Sequence, residues 1–171
     1  MPVLVVLTFF METPKPKVSV SLTVEQLLEH SNRLIAKENG YDYDKDDWLT
    51  MIKSSNGNPF KGRCYEIMMA IYELAIDSSQ YDYVRAKDFE DNYHWWLVSK
   101  ASKNVVDPTR QQYLLVDKEC PSDKDDYEVM SKPLWFPSYK NKVYRYMDKL
   151  QEFILDEGSV IKPVIVDHFF D

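Results

Sequence analysis

Apolar residues recur at helical spacing in three stretches of the chain. Val24, Leu27, Leu28, Leu34 and Ile35 follow a 3.6-residue period, loosely in the middle, and predict a first helix over residues 24–38. Ser21 or Thr23 is its cap, Glu25 and Glu29 lie near its positive end, and Asn39-Gly40 stops it. Cys64, Ile67, Met68, Ile71, Leu74 and Ala75 fit the i, i+3, i+4, i+7 template most closely, with no Gly or Pro inside. Val143, Tyr146, Met147, Leu150, Phe153 and Ile154 predict a last helix over residues 139–156, capped by Ser138 and ended by Gly158. A short helix is expected over residues 48–53.

Between the second and third of these stretches the pattern changes to β-branched and aromatic runs. Residues 92–98 and 104–107 predict two short strands joined by a turn at residues 99–102, with a further strand over 112–116. Residues 54–62, Ser-Ser-Asn-Gly-Asn-Pro-Phe-Lys-Gly, form the most loop-like segment and run straight into Cys64. Residues 117–126 and 133–137 read as loops. The β-branched segment 160–170 predicts a terminal strand, with Pro163 favouring a sheet edge. Residues 11–17 read as a loop, and the apolar stretch 2–10 as a buried edge strand or as extra residues ahead of an alternative start at Met11. Helices first, then a sheet, then a helix is an α+β pattern, expected as one domain over residues 1–171.

Composition narrows the function classes. The chain has 171 residues, 44% hydrophobic and 14% aromatic, enough for a packed core and against a disordered or repeat architecture. A net charge of −7 leaves no basic stripe for a phosphate backbone, so no nucleic-acid partner is expected and basic partners are favoured. The acidic runs Asp42, Asp44, Asp46, Asp47 and Asp123, Asp125, Asp126 read as solvated loops, since neither carries the downstream Gly and Glu of an EF-hand. No metal and no cofactor are expected; no phosphate loop or dinucleotide fingerprint is present. Residues 2–10 are too short to span a bilayer and lack a basic flank. Two cysteines make no disulfide framework, so a reducing cytoplasm is the expected compartment.

Cys64 follows a glycine-bearing loop and opens a helix, where unpaired N–H groups and the macrodipole favour a thiolate and can donate to an oxyanion. Lys61 and Arg63 are expected to add positive potential, and Gly62 to allow close approach of a substrate. Cys120, in a polar loop before Pro121, reads as incidental. Of the three histidines, His94 alone lies in a segment that otherwise reads as a buried strand. With residues 99–102 as the turn, Val98 pairs with Lys103, Leu97 with Asn104, Trp96 with Val105, Trp95 with Val106 and His94 with Asp107. Directly opposed residues share a face with Cβ atoms about 4.5–5.5 Å apart. That suits a carboxylate that orients an imidazole. On their own, Cys64 is equally a small core residue and His94 a satisfied core histidine.

Gly62-Arg-Cys64 opening a helix, then Tyr93-His-Trp-Trp-Leu-Val98, then Val105-Val-Asp-Pro-Thr109 with Gln112-Tyr113, together resemble the transglutaminase-like branch of the papain-like cysteine enzymes. The HWWLV and DPT segments look especially like those of small bacterial or phage-encoded proteins. The resemblance covers about residues 58–113. It implies a papain-like core, with the Cys-bearing helix packed on a small antiparallel sheet that carries His and Asp. Cys64 is then the nucleophile, His94 the general base and acid, and Asp107 the orienting group. Asn58 or Asn56 is a candidate second oxyanion donor, neither in a matching motif; Gln112 is structural; Trp95 and Trp96 wall the core and cleft.

The function expected is a thiol enzyme acting on an amide or isopeptide carbonyl of a protein or peptide through an acyl-enzyme. Water would make it a protease or amidase, an amine a transglutaminase-like acyltransferase. A non-enzymatic binding or inhibitory module on the same fold is the alternative. Acyl transfer from a small thioester, as in arylamine N-acetyltransferases, is a third possibility, for which 171 residues leave little room.

Overall fold

A computed structural model describes residues 21–54, 57–134 and 136–158. The expected strands at 2–10 and 160–170, and Asn56, lie outside these residues. The architecture is α+β: helices α1 (Val24–Glu38), α2 (Trp48–Ser54), α3 (Cys64–Leu74), α4 (Gln111–Leu114) and α5 (Pro137–Asp156) around one small sheet. Its strands are β1 (Tyr81–Lys87), β2 (Tyr93–Ser99), β3 (Val105–Val106) and β4 (Glu128–Val129), all antiparallel, in the order β3-β2-β1-β4.

The main helices follow the apolar periodicity. Thr23 caps α1 in a reciprocal box with Gln26, which resolves the choice between Ser21 and Thr23. Asn39 is its C-cap, and Gly40 follows at φ +82°. α5 begins two residues earlier than expected. Pro137 occupies its first turn and Phe136 the cap position, so Ser138 caps nothing.

Two expectations about the sheet are corrected, and one strand, β1, was not expected at all. β1 carries no clean alternation, because Arg85 stands on the face where Tyr81, Tyr83 and the opposed Trp95 point. Its guanidinium is held there by Glu128 at 2.8 Å and by stacking 4.2 Å above the Tyr93 ring. The strand expected at 112–116 is instead α4 and the turn after it. Residues 107–110 already turn, which commits the next backbone amides to i→i−3 bonds.

The second correction is the hairpin register. Leu97 pairs with Val106 and Val98 with Val105, two residues from the expected alignment. The connection is residues 100–103, with Ser99 N–H donating to Asn104 O and Lys103 at φ +62°. A shift of two keeps every side chain on its face.

The two faces of β2 serve different layers. Trp95 and Leu97 pack into the principal core with α1, α3 and α5, where Phe60, Met68, Ile71 and Leu150 are fully buried. His94, Trp96 and Val98 point the other way, under the segment between β3 and β4; Trp96 packs with Val84, Val98 and Tyr127. None of the described helices is long and apolar enough to cross a membrane.

Candidate active site

The loop before Cys64 is fixed by burial of Phe60, fully enclosed and 5.9 Å from the Trp48 ring. Gly62 takes φ +75°, a conformation that favours glycine, and a Cβ there would meet nothing within 4 Å. The glycine is thus demanded by the turn rather than by crowding. α3 then starts at Cys64, and Tyr65 seats it on the sheet, edge-on to Trp95 at 4.9 Å.

Cys64 is half-buried on the helical side of the sheet, and its thiol donates to the Tyr93 carbonyl at 3.7 Å. His94, the next residue of β2, approaches from the opposite face. Its partner in β1 is Ala86, which leaves room for the ring. The imidazole is stacked on Trp96 at 5.6 Å and met edge-on by Tyr113 at 4.9 Å. The thiol is thus bonded to the carbonyl of the residue just before His94, and Cys64 is among the groups that favour the protonated ring.

His94 Nε2 donates to Asp107 Oδ2 at 2.7 Å, with both side chains essentially inaccessible. Burial alone disfavours the imidazolium. The Asp107 hydrogen bond, with smaller contributions from Cys120 and Cys64, outweighs it and raises the His94 pKa well above its ordinary value. Burial likewise disfavours the Asp107 carboxylate, but His94, Ser122 and the Thr109 amide hold its pKa below the ordinary range. A proton on His94 supplies the counter-charge that a thiolate needs.

Gln112 touches the other ring nitrogen. Its Nε2 lies 3.3 Å from His94 Nδ1 and donates to Thr109 O and Oγ1, each at 3.1 Å. The two shorter bonds fix the amide, leaving the Nδ1 contact the weakest of the three and Nδ1 able to face the thiol. Gln112 thus braces the ring as well as its own turn.

Around the thiol lies a cleft of about 480 Å³, within the range of small-ligand sites. Tyr65, Trp95, Tyr113 and Tyr139 are among its walls, and Phe89 and Glu90 of the β1–β2 turn lie along it. Trp95 thus walls both core and cleft, whereas Trp96 lies under the other face. Asn58 lines the cleft, with its Nδ2 donating to the Gln112 carbonyl at 3.2 Å.

Two electrostatic expectations change. Arg63 is committed away from the thiol: Nε pairs with Glu66 at 2.7 Å, Nη1 with Glu38 at 3.8 Å, and the guanidinium covers Tyr146. Lys61 pairs with Glu90 at 3.3 Å. Both basic side chains beside Cys64 are thus paired with carboxylates rather than free.

Cys120 is the residue sequence reasoning set aside. It is 2% exposed, and its thiol donates to Asp107 Oδ2 at 3.3 Å and lies 3.0 Å from Ser122 Oγ. Ser122 itself donates to Asp107 Oδ2 at 2.7 Å. Their segment is polar and lacks periodicity, so only the Pro121 at its centre hinted at a fixed turn.

Ligand atoms of His94, Asp107 and Cys120 lie within 4.8 Å of one another, a donor set of the kind zinc takes. Here, however, they satisfy one another by hydrogen bonds. The 2.7 Å between His94 Nε2 and Asp107 Oδ2 is shorter than two ligands about 2.0–2.2 Å from one tetrahedral zinc would be spaced. The acidic runs are likewise engaged: Asp44 with Arg33, Asp42 with Lys45, and Asp123 with Arg110.

What this arrangement can do chemically is move a proton between a cleft-facing thiol and a buried imidazole oriented by a carboxylate. Comparison with protein-family models, curated proteins and solved structures finds no match for this chain.

Proposed function

We propose that the protein is a thiol enzyme that attacks amide or isopeptide carbonyls of a protein or peptide. Cys64 is the nucleophile, His94 the base and acid, and Asp107 the orienting group, on a papain-like, transglutaminase-like core. The observation that carries this is a cleft-facing Cys64 at a helix start, its thiol bonded at 3.7 Å to the carbonyl of the residue before His94, whose Nε2 is bonded to buried Asp107 at 2.7 Å.

The proton rests on His94 and Cys64 attacks as its thiolate: the sulfur pair forms the bond to the carbonyl carbon, and the carbonyl π pair moves onto oxygen. First-turn amides of α3 are available to that oxyanion, with Asn58 as a candidate side-chain donor. Collapse breaks the C–N bond, and the His94 proton leaves on the amine. Water or an amine then attacks the thioester, returning its proton to His94 and releasing the thiolate. The net charge of −7 favours basic substrates, and the free thiols suit a cytoplasmic enzyme.

Intact-mass spectrometry after incubation with a panel of electrophilic acyl probes tests this. One acyl adduct is expected on the wild type and none on Cys64→Ala. Equal labelling of both would refute the enzyme and leave the cleft as a binding surface.

A further inference from the structure

Asp107 is buried, yet its two oxygens accept more bonds than one histidine can supply. Oδ1 accepts the Thr109 amide at 3.1 Å. Oδ2 accepts His94 Nε2 at 2.7 Å, Ser122 Oγ at 2.7 Å and the Cys120 thiol at 3.3 Å. Ser122 is 5% exposed and lies 15 residues beyond Asp107, on a 3-10 turn, Pro121–Asp123. The turn is clamped from outside: Arg110 donates three bonds to Asp123 at 2.8–3.1 Å. A turn with its outer residue pinned and its inner hydroxyl on a buried carboxylate is more than a connection between strands.

We propose that Ser122 is a positioning residue for Asp107, its hydroxyl holding Oδ2 toward His94 so that the imidazole keeps one orientation at Cys64. The inference rests on the thiol mechanism above and extends the site from three residues to a fourth on a separate turn. Without this donor, Asp107 keeps the Thr109 amide on Oδ1 and, on Oδ2, His94 itself and the weak Cys120 thiol, so little holds Oδ2 independently of the ring it orients. A carboxylate that accepts a strong hydrogen bond is harder to protonate, so Ser122 also keeps Asp107 charged at lower pH. The charged and titratable groups facing this network are His94 from β2, Cys120 and Asp123 from the turn, and Arg110 from the loop after β3. Cys64, with Tyr113 and its partner Asp88, surrounds His94.

The test is NMR titration of the His94 ring, whose signals report protonation of Asp107, in the wild type, Ser122→Ala and Ser122→Cys. Losing one charge-assisted hydrogen bond should raise the acid inflection by about one pH unit in Ser122→Ala. The nearly isosteric Ser122→Cys, a weaker donor, should fold if alanine does not and shift the inflection by less, in the same direction. Ser122→Thr, which keeps the hydroxyl, should restore the wild-type inflection. An inflection unchanged in both the alanine and cysteine variants would overturn the proposal. Alkylation of Cys64 with iodoacetamide in His94→Ala separates the two claims. An unchanged rate there would remove the thiol mechanism, while the NMR inflection still decides the placement of Ser122.

Discussion

The His94 imidazole and the Asp107 carboxylate are bonded at 2.7 Å, although they are not directly opposite in the hairpin. Extending the observed pairing one step past β3 sets Trp96 opposite Asp107, so the bond crosses diagonally along one face. Diagonal neighbours are about 7–8 Å apart at their backbones, within reach of a carboxylate and an imidazole. Both groups are desolvated, which makes loss of either one costly. Asp107→Ala should destabilise the fold by about 3–5 kcal/mol, because it leaves His94 buried without its main partner. Urea unfolding of this variant against the wild type measures the loss.

The same pair sets a pH dependence. The His94 pKa is raised above its ordinary 6.5, so its contribution is fully present below that value and fades as pH rises through the raised one. The Asp107 pKa is lowered from 3.8, so its contribution is present above that value and disappears as pH falls through the lowered one. Thermal unfolding should show Tm falling both as pH rises above 6.5 and as it drops below 3.8, each decline smaller in Asp107→Asn.

Arg63 precedes the nucleophile but spends its charge on Glu66 and Glu38. Arg63→Met should therefore slow Cys64 alkylation less than about twofold while costing about 1 kcal/mol of stability from part-exposed ion pairs. A tenfold slower alkylation would show that the guanidinium acts on the thiol. Matched iodoacetamide time courses decide between the two.

Phe60 anchors the loop that delivers Cys64 and is fully buried. Phe60→Ala should cost about 3–5 kcal/mol by leaving a cavity against Trp48. Denaturant titration reads that cost directly.

The helices were legible because their apolar residues keep one period over many turns, as in α1, α3 and α5. β1 was not, since Arg85 interrupts its alternation and is tolerated only through Glu128, 43 residues away. The register of the hairpin was misread by two because the αL conformation of Lys103, a non-glycine residue, left no turn signature. His94 and Asp107 still came together, since an even shift preserves faces. Cys120 and Ser122 were invisible as site residues for a different reason. Their place depends on how the β3–β4 segment folds back over β2, and no local pattern encodes that.

The central claim is that His94 activates Cys64, and the most direct measurement is the alkylation rate of Cys64 at pH 7, read by peptide mass spectrometry. Comparison with buried Cys120 alone would report accessibility, so the decisive comparison is with His94→Ala. The account predicts that wild-type Cys64 reacts faster than a free cysteine and at least about tenfold faster than Cys64 in His94→Ala, in keeping with the usual size of general acid–base assistance, about 10²–10⁴. A Cys64 that reacts at the free-thiol rate in both proteins would contradict it.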